Sequence, residues 1–224
     1  MNFDIVKKAN SMRFLVLSDV HGRDKVVRWA NALIDDMKLE GTIVLGDITH
    51  FGPPEWAEEF LGGLKGKTYA IPGNCDPPGT LAHIERKAIS LHLKKVRIEN
   101  QVLGGMGGSN PTIFDTPNEM SEEDIMAQLR PVMEKDMIMV LHCPAYGILD
   151  VPFSGKHVGS VSIAKLVEEF KPKIVLSGHI HEDRGIIEKD GTFFMNPGPA
   201  KEGYSGLLEL GDTPRVELLE QHSD

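Results

Sequence analysis

Five places along this chain set out side chains that bind cations. Asp19-Val20-His21, Gly46-Asp47, Gly73-Asn74, His142 and Gly178-His179-Ile180-His181 together offer two carboxylates, one amide oxygen and four imidazoles. That mixture is harder than a thiolate site and softer than an all-oxygen calcium cage, which suits Mn, Fe, Ni, Co or Zn. Seven donors are too many for one such ion. They serve two ions that share a bridging carboxylate, an arrangement that activates water and clamps an in-line displacement at phosphorus.

Each group directly follows a short apolar run. The spacing predicts strands at residues 14–17, 42–45, 68–71, 137–141 and 173–176, all rich in branched apolar side chains. In an open α/β sheet the carboxyl ends of such strands share one edge, and the ligand crevice forms outside it. Residues more than 150 positions apart in sequence are thereby expected to meet in one cavity.

Taken in order, these residues resemble the calcineurin-like metallophosphoesterase family, whose pattern is Asp-x-His, Gly-Asp, Gly-Asn-His-Asp/Glu, a lone His, then Gly-His-x-His. The match runs from Asp19 to His181; single pieces are weak, and the ordered set is specific. The resemblance implies that Asp19, His21 and His181 hold one divalent ion and that Asn74, His142 and His179 hold the other. Asp47 would bridge them, with manganese the first expectation. Asp47, Asn74 and His142 are accordingly expected to carry catalysis. Gly73 would allow a tight turn at Asn74 and Pro72 would stiffen it. The plain alternative for Asn74 is a cap on a helix over residues 77–87.

Cys75 departs from the family pattern, in which His stands after Gly-Asn. In relatives that His contacts phosphate and is the favoured donor to the departing oxygen, and a thiol donates hydrogen bonds weakly. Good leaving groups should therefore react, with alkyl monoesters slow, and the resemblance to branches lacking this His implies a phosphodiesterase. Cys75 can be read three ways from sequence: buried packing, redox chemistry with Cys143, or a place beside the phosphate.

Other expected substrate contacts are Arg23, just beyond His21, and His157 in the loop 154–160; each has a solvated surface role as its alternative. Ser160 should cap a helix over 161–170, where Ile163, Leu166, Val167 and Phe170 keep helical spacing. Asp76 is expected either to orient a ligating imidazole or to form an Asx turn with Pro77. His50 is read as a satisfied structural histidine, and His83, His92 and His222 as surface or helix-face residues. The glycine run 104–108 completes neither a P-loop nor Gly-x-Gly-x-x-Gly and reads as a strand ending in a turn. Asn196-Pro197-Gly198 resembles the family turn that supports the histidine loop.

The chain has 224 residues, 41% of them hydrophobic, and a net charge of −9. That length supports one domain, 1–224. The negative balance argues against nucleic acid as a partner, although two dications would add about four positive charges at the crevice. Two cysteines form no disulfide framework, and residues 1–11 lack the apolar core of a signal peptide. No run approaches bilayer length. A cytoplasmic enzyme acting on a small phosphoester, without membrane attachment, is the expectation.

Helical patterns at 25–39 and 55–64 between strands favour parallel pairing. Residues 89–106 and 184–219 instead alternate, broken by Asp190-Gly191, Pro197-Gly198 and Gly211-Asp212, which favour hairpins. The resemblance implies a four-layer αββα sandwich of two mixed sheets. The reading is a dinuclear metal-dependent phosphoesterase, more a phosphodiesterase than a monoesterase, with a metal-bridging hydroxide as nucleophile. Its alternatives are a non-catalytic scaffold of the same fold and an Mre11-type nuclease.

Overall fold

The computed structural model describes residues 11–221, so His222 and most of the 1–11 segment lie outside the described residues. In chain order the elements are β1 (Arg13–Leu17), α1 (Lys25–Met37), β2 (Gly41–Val44), α2 (Glu55–Gly63), β3 (Lys67–Ala70), α3 (Thr80–Lys87), β4 (Ile89–Ser90), β5 (Lys95–Ile98), β6 (Gln101–Met106), α4 (Glu122–Leu129), β7 (Ile138–Leu141), α5 (Val161–Phe170), β8 (Ile174–Leu176), β9 (Gly185–Lys189), β10 (Thr192–Asn196), β11 (Tyr204–Glu209) and β12 (Arg215–Glu220).

They build two six-stranded mixed sheets, β12-β11-β1-β2-β3-β4 and β5-β6-β7-β8-β10-β9. In the first sheet β1, β2, β3 and β4 run parallel, and β11 and β12 complete one edge antiparallel. The second repeats the scheme, with β6, β7, β8 and β10 parallel between antiparallel β5 and β9.

Alternation along the strands makes the layers. Phe14 and Val16 of β1 pack with Ile43, Tyr69, Ile138, Val140 and Ile174 between the sheets. Leu15 and Leu17 point the other way, against Val26, Trp29, Ala30 and Ile34 of α1 and Phe60 and Leu61 of α2. Met139, Leu141 and Val175 meet α4 and α5 through Ile125, Leu129, Ile163 and Leu166. A strand repeat of two residues feeding opposite faces gives the αββα order. Burial of each large side chain is worth about 1.5–3 kcal/mol.

Local signals explain the helix that precedes the segment 178–181. Ser160 Oγ accepts from Ile163 N at 3.1 Å, capping α5, and Lys171 closes it in the left-handed conformation. Asp190-Gly191 and Gly211-Asp212 do turn hairpins, β9–β10 and β11–β12. Pro197-Gly198 does not. There the chain leaves the second sheet and enters the first, drawn across by Ala200 N donating to Ser18 O at 2.7 Å. The turn signal marked a change of direction without saying which sheet receives the next strand. Among the described residues, no helix is long and apolar enough to cross a membrane.

Candidate metal centre

The carboxyl ends of β1, β2 and β3 in one sheet and of β7 and β8 in the other open onto a common edge, and the loops there are stitched together by backbone bonds. Asp19 N donates to Gly46 O at 3.1 Å, His21 N to Asp47 O at 2.9 Å, and Gly178 N to His142 O at 2.9 Å. Asp19, His21, Asp47 and His179 have φ of 56°, 48°, 48° and 70°. Non-glycine residues adopt this left-handed region at a cost, and such residues gather where function holds them. Gly73 is required for close approach, because a Cβ there would lie 2.1 Å from Asp47 N. The tight turn expected from its sequence is not the reason. At Gly178 a Cβ would strike Ser18 Oγ at 1.8 Å, so glycine lets the two sheets meet.

All seven expected ligands come to this edge. Asp19, His21 and His181 place ligand atoms within 4.8 Å of one another, as do Asp19, Asp47 and His142, and also His21, Asp47 and Cys75. The Nε2 atoms of His21 and His181 are 3.4 Å apart. His142 Nε2 lies 2.7 Å from Asn74 Oδ1 and 3.4 Å from Asp47 Oδ1. His179 donates its backbone N–H to Asp19 Oδ2 at 3.1 Å, and its ring centroid stands 5.1 Å from that of His142.

Several side chains are aimed by partners behind them. His142 Nδ1 lies 2.9 Å from Leu45 O, an acceptor, so Nδ1 carries the proton and the Nε2 lone pair turns toward the cluster. Asn74 Nδ2 donates to Thr116 Oγ1 at 3.0 Å, which directs Oδ1 the same way and rules out the helix-cap alternative. Helix α3 starts instead at Thr80 behind Gly79. Thr116 Oγ1 in turn donates to Glu119 Oε1 at 2.5 Å. Glu119 also accepts from Thr112 and from Thr116 N; burial pushes its carboxyl up, but these bonds outweigh it and hold it at about 2.

Burial is the largest influence on each of these groups, and it decides the direction for His21, His179 and Asp47. It lowers His21 to about 3 against the pull of Asp19, and lowers His179 to about 3 with help from His142, leaving both imidazoles neutral with lone pairs to give. Asp47 is pushed up to about 6, first by burial and then by Asp19 and Asp76, against His142. For Asp19 burial is outweighed by His181, His142 and His21, which hold the carboxyl far below its ordinary value; His181 is raised by the same pairing although burial opposes it.

These residues fit divalent cations. Asp19 Oδ1 is buried with the ring nitrogen of His181 beside it, at 3.2 Å and out of line for a hydrogen bond. With the proton of His142 on Nδ1, the Nε2 and Asn74 Oδ1 lone pairs converge at 2.7 Å on a spot that calls for positive charge. Buried carboxylates beside neutral imidazoles and an aimed amide oxygen are the donor chemistry of first-row dications.

The sequence pattern of the calcineurin-like phosphoesterases matches residues 12–183. The chain belongs to that family. Members act with divalent metal ions, and the clusters above are its candidate ligands. An uncharacterized protein, MJ1162 of Methanocaldococcus jannaschii, is 36% identical over 198 residues, 84% of this chain and 88% of the relative. Two solved structures share the fold: TT1561 of Thermus thermophilus, with TM-score 0.75, 16% identity and coverage of 94% of this chain and 99% of that one, and an archaeal phosphodiesterase, with TM-score 0.55, 18% identity and coverage of 93% and 100%.

The remaining expected residues divide. Cys75 is buried at the cluster, its N–H donating to Asp47 Oδ1 at 2.8 Å, and burial followed by the Asp47 charge pushes its thiol far above the ordinary value. Cys143 faces Asn110 Oδ1 at 2.9 Å, and the two cysteines are not bonded to each other. Arg23 is exposed on the rim. His157 pairs through Nδ1 with Asp150 Oδ1 at 2.5 Å, so only Nε2 is left to reach a substrate. Asp76 orients no imidazole and makes no Asx turn with Pro77. Its oxygens accept from Ile48 N, Thr49 N, Thr49 Oγ1 and Gly73 N, tying the Asp47 and Asn74 loops together.

His50 Nδ1 lies 3.3 Å from His21 Nδ1, closer to the centre than a structural histidine need be. His83 pairs with Glu58 at 3.0 Å, and His92 Nδ1 accepts from Gly107 N. Asn196 supports the histidine loop, donating to Ile180 O at 2.6 Å. The sequence pointed to neither Thr116 and Glu119 nor Lys201, whose N–H reaches Asp19 O at 3.4 Å. Thr-x-x-Glu at 116–119, a capping pattern at which no helix starts, was the one available signal for the first two.

Proposed function

We propose that this chain is a dinuclear metal-dependent phosphoesterase that prefers phosphodiesters with good leaving groups. Asp19, His21 and His181 hold one ion, Asn74, His142 and His179 the other, and Asp47 bridges. The observation that carries the reading is Asp47: its carboxylate belongs both to the cluster with His21 and to the cluster with His142. When bound, such a pair of dications activates water for attack at phosphorus and neutralises charge on the phosphoryl oxygens.

The protein positions the pieces. The neutral imidazoles of His21 and His179 keep lone pairs available at neutral pH, and the Thr116–Glu119 chain fixes Asn74. Cys75 keeps its proton tightly and gives little help to a departing oxygen, so esters whose leaving group needs no protonation are favoured. The surroundings suit an aryl group: Phe51, 54% exposed, donates its N–H to Cys75 O, and Phe114, 77% exposed, lies on the loop that holds Asn74. The fold neighbour described as an archaeal phosphodiesterase agrees with a diester substrate. Manganese is the proposed ion, and Arg23 and His157, the latter through Nε2, the proposed additional contacts to a small phosphoester.

Purified protein loaded with Mn, Ni, Fe, Zn or no metal, assayed on aryl monoester, aryl diester and cyclic nucleotides, tests this. Metal-dependent turnover with diester above monoester is expected; no turnover with any metal would favour a scaffold. Cys75→His should raise monoester turnover relative to diester, by about 10² if it restores a general acid. An unchanged ratio removes the leaving-group argument.

A further inference from the structure

A cleft of about 570 Å³ lies against the Asp19–His21 end of the centre, lined by Gly22, Arg23, Asp24, Lys25, Lys201 and Glu202. One wall continues directly from His21. The other is the short turn Ala200–Glu202, pinned to the end of β1 by Ala200 N on Ser18 O at 2.7 Å and Lys201 N on Asp19 O at 3.4 Å. Lys201 is therefore placed by a short turn bonded to the end of β1 that carries Asp19.

Arg23, Lys25 and Lys201 have no carboxylate of the described residues within 4.0 Å, and Lys201 is half-buried. The cleft also holds two acids, Asp24, whose Oδ1 accepts from Trp56 Nε1 at 3.1 Å, and the exposed Glu202, neither of them paired with a cation of the cleft. In a chain with net charge −9, a hollow lined by three cations and two acids, a sum of +1, is a local reversal of sign. Three cationic side chains without a paired carboxylate offer charge-assisted hydrogen bonds to an arriving anion.

We propose that this cleft binds a second anionic group of the substrate, a phosphate carried by the same molecule as the phosphoester presented to the metal centre, with Lys201 and Arg23 as its contacts. The inference rests on the phosphoesterase reading for its biological meaning, but the binding itself is measured separately.

The test is calorimetric titration of the manganese-loaded protein with straight-chain alkane monophosphates and the corresponding α,ω-bisphosphates of two to four carbons. At one chain length the bisphosphate should bind about tenfold more tightly than its monophosphate, the scale of one added charged contact. Lys201→Ala should abolish that advantage and Lys201→Arg should keep most of it. Arg23→Ala, at an exposed position, should reduce it in a fold that cannot be suspected of collapse. Equal affinity at every chain length overturns the proposal. So does a Lys201→Ala protein that weakens monophosphate and bisphosphate alike, since Lys201 would then touch only the phosphate at the metals. Failure of aryl ester turnover with every metal would strike the phosphoesterase reading and leave the titration standing.

Discussion

The two ends of the candidate metal centre are built differently. At one end Asn74 and His142 are both buried and each has a partner behind it, the Thr116–Glu119 relay for Asn74 and Leu45 O for His142. At the Asp19–His21–His181 end both imidazoles are partly exposed, they face each other at 3.4 Å, and the ring behind His21 is that of the exposed His50. The contrast separates two tasks. A donor locked before the ion arrives loses little entropy on binding, whereas an open end leaves room for substrate and exchange. The cationic cleft adjoins the open end, which is where an anion would enter.

Removing the carboxylate common to both ends should have the largest effect. Asp47→Ala is expected to lose both ions and to lower turnover by roughly 10³ or more, the scale of losing preorganised electrostatic stabilisation; metal content and a rate that survived would refute the bridge. Thr116→Val should act at the locked end alone, weakening one ion by about 10–100-fold while the other stays, readable as a split in a two-step metal titration. Equal weakening of both steps would mean the ends are not independent. His50→Ala should weaken only the open-end ion, and by less, because His50 is exposed and the ring it backs already faces Asp19 and His181.

Glu119 gives the smallest change and a defined pH dependence. Its carboxyl is held at about 2 in the fold, below the ordinary 4.5, so its stabilisation is complete above the unfolded value and is lost as pH falls through the folded one. Glu119→Gln should cost about 1–2 kcal/mol near pH 7, after allowance for solvent screening, with the difference from the parent protein shrinking between pH 4.5 and 2. Chemical denaturation across that range reads it. A constant difference would show that the four hydrogen bonds, not the charge, do the holding.

The same contrast explains what could be read from sequence. Donors that sit at strand ends announce themselves, because an apolar run of four or five residues stops and a polar group follows; Asp19, Asp47, His142 and His179 were legible this way. Ser160 was legible because a cap acts within three residues of itself. What lies behind the donors was not. Thr116 is 42 positions from Asn74, and nothing local to either says that a loop after β6 folds over the end of β3. Asp76 was misread, both as an acceptor for a ligating imidazole and as an Asx turn with Pro77, because its actual partners include the amides of Ile48 and Thr49, 28 and 27 positions away. Lys201 was passed over for a related reason: its turn follows Pro197-Gly198, and only the crossing between sheets brings it to β1.

Anomalous scattering from crystals saturated with manganese, with elemental analysis of the same protein, tests the central claim most directly. Two peaks are expected, one among Asp19, His21 and His181, the other among Asn74, His142 and His179, with Asp47 touching both. One peak, or two peaks of which only one contacts Asp47, would contradict it.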